Sequence, residues 1–295
     1  MPLIVQELQA DCYSGSWFAH IARGESDTLS FSDADIRSGL IDTALSADPV
    51  GTTPDIQGAH GAGFDRVSAF QDGFVLGTEE CATYATTFPT ITEIGFTPDE
   101  LATDDPGDVS YADLIVDIPA DLNAYWQSNL SSFTPITLVP FTGPAPTCGA
   151  VDMAANTNPL ALYCPDTATV YLDEAGTQSA LASFGDFGPG YLLATAWGEG
   201  VQVGLDSELV GEGRVLYSDC LVGVWAGSLP TQLTDARPLA ISAGDLDEAI
   251  ATAIALGDNS AADDLRGDAF AKVEAFRTGV LGGRDGCDNN FGTTG

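Results

Sequence analysis

The chain repeats part of itself, and this repeat limits the folds that it can adopt. Glu7–Trp17 (ELQADCYSGSW) aligns with Val215–Trp225 (VLYSDCLVGVW) at an offset of 208 residues, with Asp, Cys, Gly and Trp at the same places. A second match, at an offset of 206 residues, aligns Phe64–Cys81 with Phe270–Cys287. Self-similarity of this kind indicates a structural unit that is used more than once.

A third match, at an offset of 210 residues, joins Leu29–Asp48 to Leu239–Asp258, so the copies differ by short insertions and deletions. The sequence therefore predicts one and a half related units. We expect the C-terminal half of a first unit over 1–86 and a linker rich in Thr, Pro, Asp and Gly over 87–110. A nearly complete second unit is expected over 111–295.

Six cysteines fall on this repeat in a way that predicts their pairing. Six cysteines allow fifteen connectivities, and the internal symmetry selects one of them. The expected disulfides are Cys12–Cys81, Cys220–Cys287 and Cys148–Cys164. Because structural disulfides persist in oxidising compartments, an extracellular or cell-envelope location is expected. A zinc site made of cysteines is disfavoured, since the chain has no Cys-x-x-Cys spacing.

The charge balance is strongly acidic: 43 Asp and Glu residues oppose 9 Lys and Arg residues, for a formal net charge of −34. Such a surface repels phosphate, which excludes nucleic acid as a partner. The chain is also 44% hydrophobic, enough to bury a core. Charge self-repulsion indicates a saline or halophilic setting, with an ordinary acidic secreted protein as the alternative. No apolar run is long enough for a transmembrane helix, and residues 1–12 lack the basic start of a signal peptide.

Hydrophobic periodicity and capping signals predict a helix-dominated chain. Ser32 and Ser242 each begin a Ser-x-x-Asp pattern, which is typical of a helix N-terminus. Helices are predicted over 3–23, 33–47, 60–77, 121–132, 189–205, 243–256 and 266–282. Strands are predicted over 136–141 and 169–173. Helices with a small sheet give an α+β fold, here in tandemly repeated units.

The first unit contains segments that resemble a known family. ELQADCYSGSW at Glu7–Trp17, the capped acidic helix after it, and HGAGFDR at His60–Arg66 leading to Cys81 are similar to the C-terminal half of the bacterial neutral zinc metallopeptidases. The resemblance covers residues 3–81 and, more loosely, 111–290. It implies zincin-like units, a zinc cofactor and peptide substrates.

In that family a helix carries His-Glu-x-x-His, whose two imidazoles bind zinc from one helix face while the Glu takes a proton from metal-bound water. The Glu of the ELQADC segment is implied to be the third ligand. By this resemblance Glu7 is a candidate zinc ligand and His60 a candidate residue lining the site. A purely structural role, such as a solvated helix carboxylate for Glu7, is the alternative for both residues.

The complete motif is absent from this chain, because its two histidines, His20 and His60, are forty residues apart. In the second unit the corresponding segment reads LATAWGEGVQ. The places of the first His, the general base, the second His and the third ligand are held by Thr195, Ala196, Glu199 and Val215. Thr195 and Val215 are not strong zinc ligands, and Ala196 cannot accept a proton. The second unit is therefore predicted to be a pseudo-peptidase, and no zinc is expected in this chain.

The expected function is that of a secreted neutral zinc metallopeptidase-family protein whose catalytic motif is absent from this chain. A peptide or protein substrate is expected only if a complete site lies upstream. One alternative is a non-catalytic extracellular binding or scaffold protein. Another is an acidic cation-binding protein, suggested by the Asp104–Asp108 cluster, which lacks the Asp-x-Asp-x-Asp-Gly loop of calcium sites.

Overall fold

A computed structural model of the chain describes residues 2–149, 160–234, 237, 239–257 and 268–292. In this described part, none of the helices is both long enough and apolar enough to cross a membrane. The chain divides into two compact units. Unit 1 comprises Met1–Gly107 with Ser242–Ala251, and unit 2 comprises Asp108–Ile241 with Thr252–Gly295.

This division differs from the expected boundaries at two places. Residues 87–107 belong to unit 1, because Thr92 of this segment donates its N–H and its hydroxyl to the buried Asp65. Residues 242–251 also belong to unit 1, because Asp247 accepts N–H groups at the start of a unit 1 helix. Neither contact connects neighbours in the sequence.

Unit 1 is built mainly from helices. They are α1 (Leu3–Ala22), α2 (Asp33–Leu45), α3 (Gly63–Leu76) and α4 (Thr78–Thr83). A capping box begins α2: the Ser32 side chain accepts the N–H of Asp35, whose carboxylate accepts the N–H of Ser32. Gly77 separates α3 from α4 with a φ of 85°, a left-handed conformation that favours glycine.

Two glycines allow α1 and α3 to pack with their backbones in contact. A Cβ atom added at Gly15 would overlap the carbonyl oxygen of Phe70, and one added at Gly73 would overlap the carbonyl oxygen of Cys12. Any larger residue at either position would force the helices apart. A disulfide between Cys12 and Cys81 ties α1 to α4 beside this contact.

Unit 2 combines helices with a sheet. Its helices are α5 (Tyr111–Asn129), α6 (Glu174–Phe184), α7 (Phe187–Gly204), α8 (Gly211–Ala226) and α10 (Ala269–Asn290), and α9 (Asp245–Leu256) is divided between the two units. The strands are β1 (Thr137–Phe141), β2 (Ala161–Cys164) and β3 (Thr169–Asp173). Among the described residues the strand order is β1-β3-β2, with β1 parallel and β2 antiparallel to β3. The fold is therefore a helix-dominated α+β arrangement, as predicted.

In unit 2, α8 packs against both α7 and α10. Its contact with α10 again depends on two glycines. A Cβ atom at Gly223 would overlap the carbonyl oxygen of Phe276, and one at Gly279 would overlap that of Cys220. The second half of α10 is set at an angle by Gly283, which has a φ of 59°.

The three predicted disulfides are confirmed, and no cysteine is free. Both predicted strands and most predicted helices agree with the structure to within a few residues, although positions 266 and 267 lie outside the described residues. The helix predicted from Asp121 begins earlier, at Tyr111, because the Ser110 side chain accepts the N–H of Asp113. Strand β2 and helices α4, α6 and α8 were not among the predicted elements. Strand β2 is a four-residue apolar segment without alternation.

Candidate functional site

Helix α7 carries the positions at which the resemblance implies a zinc motif, and it is buried along most of its length. Thr195 is 5% exposed, and its hydroxyl donates a 2.9 Å hydrogen bond to the carbonyl oxygen of Tyr191 one turn earlier. Ala196 is 2% exposed and presents only a methyl group. Neither residue offers a ligand of the kind that zinc prefers or a group that could accept a proton from water.

Glu199, at the place of the second histidine, is engaged in an ion pair. Arg214 of α8 donates from Nε and Nη2 to one carboxylate oxygen of Glu199 at 2.5 Å. The Ser218 hydroxyl lies 3.4 Å from the other oxygen. Burial raises the pKa of Glu199 above its ordinary value, while the charge and hydrogen bonds of Arg214 oppose the shift. Both oxygens of the carboxylate therefore have protein donors.

The two helices that carry the implied motif cross closely. A Cβ atom added at Gly198 of α7 would lie 3.1 Å from the Cα atom of Ser218 on α8. Gln202 of α7 also links the two helices, because its Nε2 donates hydrogen bonds to the Ser218 hydroxyl at 2.7 Å and to the Arg214 carbonyl oxygen at 2.8 Å. Val215, the residue after Arg214, is 4% exposed. The positions of Thr195, Ala196 and Glu199 on α7 therefore lie next to the turn of α8 that contains Val215.

Zinc is bound in proteins by imidazole, thiolate and carboxylate groups. At the four implied positions of unit 2, Glu199 alone has such a group, and it is paired with Arg214. The residues at these four positions do not fit a zinc ion.

A second polar cluster lies inside unit 2, where a carboxylate of α8 meets α7 and α10. Asp219 accepts hydrogen bonds from Lys272 Nζ at 2.6 Å and from the Tyr191 hydroxyl at 2.7 Å. Burial raises the pKa of Asp219, and the nearby Lys272 ammonium opposes the shift. Burial and the adjacent Asp219 also raise the pKa of Tyr191 well above its ordinary value. With a donor on each carboxylate oxygen of Asp219, this cluster links three helices.

In unit 1, Glu7 lies half-buried on α1, one turn before Asp11. Arg66 donates from Nε and Nη2 to the two oxygens of Asp11 at 2.8 and 2.9 Å, and also donates to the carbonyl oxygen of Ser46. Burial raises the pKa of Asp11; Arg66 opposes that shift, and the charge of Glu7 adds to it. Glu7 therefore adds negative charge beside an existing ion pair.

His60 is held by a different carboxylate. Asp48 accepts the backbone N–H of His60 at 2.5 Å and that of Gly61 at 2.9 Å, and the His60 ring Nδ1 lies 3.2 Å from Asp48. Desolvation of Asp48 is outweighed by these hydrogen bonds, so its pKa lies below the ordinary value. The His60 side chain is 50% exposed. Among the described residues, neither His60 nor Glu7 belongs to a set of three side chains that could ligate one metal ion.

Three further carboxylates of unit 1 lie around the start of α3. Asp247 accepts the N–H groups of the first two residues of α3 at 2.9 and 2.7 Å. Asp65 is 3% exposed, and burial raises its pKa to about 6 despite its hydrogen bonds from Thr92. Glu93 has one carboxylate oxygen that is buried without a hydrogen-bond partner in the described structure. Burial, and after it the charges of Asp48, Asp65 and Asp247, raise the pKa of Glu93 to about 7.

No motif in the sequence predicts these three residues as a group. Asp65 stands in the HGAGFDR segment, but Glu93 and Asp247 carry no motif and are far from it in the sequence. Chain topology alone brings them together, so periodicity and spacing gave no signal for the group.

No protein-family model matches the chain, and no solved structure matches it. It is similar to two curated proteins, each called uncharacterized protein YpfJ, from Escherichia coli strain K12 and from Escherichia coli O6:H1. Each is 28% identical over 159 residues, covering 44% of this chain and 53% of the relative. The chain thus spans about half the length of the curated relatives that it matches.

Proposed function

We propose that this chain is a non-catalytic relative of the zinc metallopeptidases, a pseudo-peptidase that binds a partner rather than hydrolysing it. The ion pair between Glu199 and Arg214 carries the proposal, because it stands at the place of the second metal-binding histidine. Thr195 is bonded within its own helix and Ala196 cannot take a proton. Metal activation of water therefore lacks its ligands and its base.

We also propose that the α1–α3 pair of unit 1 and the α8–α10 pair of unit 2 are copies of one duplicated substructure. The internal sequence match supports this, and so do contacts at corresponding positions in each unit. Both pairs have glycine contacts and a carboxylate–cation pair at matching places, and a disulfide beside each pair joins α1 to α4 in unit 1 and α8 to the second half of α10 in unit 2. The corresponding pairs are Gly15/Phe70 with Gly223/Phe276, Gly73/Cys12 with Gly279/Cys220, Cys12/Cys81 with Cys220/Cys287, and Asp11/Arg66 with Asp219/Lys272.

The same proposal includes an oxidising compartment outside the cytoplasm. Three disulfides support it, since thiols are kept reduced in the cytosol. The net charge of −34 supports a saline environment, where ions screen the repulsion between carboxylates.

Metal content and hydrolysis test the absence of catalysis directly. The purified chain of 295 residues is expected to contain substoichiometric zinc and to leave casein and a mixed peptide library intact, with or without added zinc. Stoichiometric zinc together with cleavage that a chelator stops would contradict the proposal.

A graft tests the assignment of the implied positions. The variant Thr195→His/Glu199→His/Arg214→Gln/Val215→Glu restores three zinc ligands and removes the guanidinium, using the Gln that unit 1 has at the matching Gln6. It is expected to bind one zinc ion per chain, because α7 and α8 cross at these positions. The control omits Thr195→His, which leaves two ligands, and should bind zinc at least about tenfold more weakly.

Buried imidazoles could unfold unit 2, so circular dichroism is recorded with and without zinc. Zinc-induced refolding counts as binding, since metal binding and folding are linked. A folded variant that binds zinc no better than its control would show that these positions do not correspond to a metallopeptidase site.

A further inference from the structure

A carboxylate of unit 2 is buried just before the start of α7, and one of its oxygens accepts no hydrogen bond. This residue, Asp186, is 7% exposed. Its Oδ2 accepts the N–H of Val109 at 2.7 Å, whereas its Oδ1 is buried without a hydrogen-bond partner in the described part of the chain. A buried carboxylate oxygen of this kind is costly unless a donor or a cation reaches it.

A second carboxylate makes the anion at this position still less favourable. Asp108, the residue before Val109, is exposed and also belongs to unit 2. One of its carboxylate oxygens lies within 4.8 Å of a carboxylate oxygen of Asp186. Burial, together with the charge of Asp108, raises the pKa of Asp186 to about 6. The groups that oppose this shift are the neutral N–H groups of Val109, Phe187 and Asp186 itself.

We propose that Asp108 and Asp186 bind a hard divalent cation, of the class of calcium and magnesium. Carboxylate oxygens are the protein ligands that these ions prefer. Two oxygen ligands of one calcium ion can lie up to about 5 Å apart, which is twice the usual calcium–oxygen distance. Because Asp108 is exposed, water can complete the coordination shell, as is common for magnesium.

The acidic cluster Asp104–Asp108, noted in the sequence, thus contributes its last residue to this site. The second ligand, Asp186, comes from a distant part of the chain and carries no motif. The site is therefore independent of the Asp-x-Asp-x-Asp-Gly loop that the sequence lacks.

A proton shared by the two carboxylates is the competing occupant, as in other close carboxylate pairs. A proton would neutralise one of the two negative charges, whereas a dication neutralises both. The net charge of −34 favours the dication further, because a strongly negative surface raises the local concentration of cations and attracts divalent ions more than monovalent ones.

Calorimetric titration of the whole chain tests the inference. The probes are calcium chloride and magnesium chloride, added separately to protein that has been dialysed against a chelator, at neutral pH and constant ionic strength. At least one of the two salts is expected to give a saturable heat with one site per chain. The same salt should raise the urea midpoint above the value in sodium chloride of equal ionic strength, because the ion binds the folded state.

Three variants that each remove one negative charge separate this site from general screening. Asp186→Asn and Asp108→Asn are each expected to weaken binding at least about tenfold, because the number of charged ligands sets the affinity of such sites. The matched control is Asp285→Asn, at an exposed position of α10 in unit 2, which should bind like the unmodified protein.

Folding of the variants is checked by urea unfolding without divalent ions. Asp186→Asn keeps an oxygen that can accept the Val109 N–H, and it removes the repulsion from Asp108. It is therefore expected to be at least as stable as the unmodified protein in that buffer. If Asp186→Asn does not fold, Asp108→Asn still tests the site, because Asp108 is exposed.

Two outcomes would overturn the inference. Neither salt could give a saturable heat, or the heat and the midpoint shift could be the same in Asp108→Asn as in Asp285→Asn, which would show general screening only. An absent heat combined with proton uptake that Asp186→Asn abolishes would make the proton the occupant. Neither result concerns the implied zinc positions, so a protein that binds no calcium, magnesium or zinc and cleaves nothing would refute this inference and leave the proposed function standing.

Discussion

Lys272 donates a 2.6 Å hydrogen bond to Asp219, and the two side chains are 4% and 0% exposed. Lys272 is the single lysine of the chain. The remaining oxygen of Asp219 accepts the Tyr191 hydroxyl. Since neither charge reaches water, each ion depends on its partner for stabilisation in the folded state.

Replacing Lys272 is therefore expected to destabilise unit 2 strongly. Lys272→Met should lower the free energy of unfolding by about 3–5 kcal/mol, because it leaves a buried carboxylate with one neutral donor. Lys272→Arg should cost less, since unit 1 uses Arg66 with Asp11 at the matching places. Urea unfolding at constant salt measures both variants, and equal losses would contradict the role given to the charge.

Glycine contacts between α8 and α10 give a second prediction with a control in the same helix. Gly279→Ala should lower the free energy of unfolding by about 3 kcal/mol or more, because its methyl group would overlap the Cys220 carbonyl oxygen. Gly282→Ala places a methyl group in open space and should be neutral or stabilising by up to about 1 kcal/mol. Urea unfolding curves distinguish the two, and a tolerated Gly279→Ala would mean that the helices are not in backbone contact.

Glu93 gives a prediction about pH. Its pKa is raised to about 7 in the folded state, so folding binds a proton between the unfolded value of about 4.3 and about 7. Its contribution to stability is therefore full below about pH 4.3 and is lost as the pH rises through about 7. Glu93→Gln removes this dependence, so its stability relative to the unmodified protein should increase from about pH 4 to about pH 7 and stay constant above.

Urea unfolding at several pH values checks this difference between the two proteins. A matched control is Glu79→Gln, at an exposed position of α4. A constant difference for Glu93→Gln over the whole range would show that the folded state does not raise the pKa of Glu93.

Salt dependence follows from the net charge of −34. The screening length falls from about 30 Å at 0.01 M salt to about 8 Å at 0.15 M, so repulsion between surface carboxylates weakens over this range. The urea midpoint should rise with sodium chloride between these concentrations, whereas an uncharged osmolyte at equal osmolality should produce a smaller rise. A midpoint independent of salt would argue against a saline adaptation.

Local signals in the sequence were sufficient for much of the fold. The Ser32 capping box and the helical periodicity of Leu3–Ala22 act within a few residues, so they were readable without any tertiary information. The disulfide pairing could be predicted for a different reason, because the internal repeat identified which cysteines were equivalent. Helix α6 was missed although its cap is equally local, since the Asp173 side chain accepts the N–H of Gly176.

Sequence by itself determined the α+β class, the cysteine pairs and the absence of a His-Glu-x-x-His motif, because each depends on residue identity or local spacing. Tertiary structure alone decided that Glu199 is paired with Arg214, since this pair joins two helices. Tertiary structure also decided the exposure of two tryptophans at aligned positions of the repeat: Trp225 is buried and Trp17 is half exposed. The physical reason is that burial depends on what packs against a helix, and that information lies elsewhere in the chain.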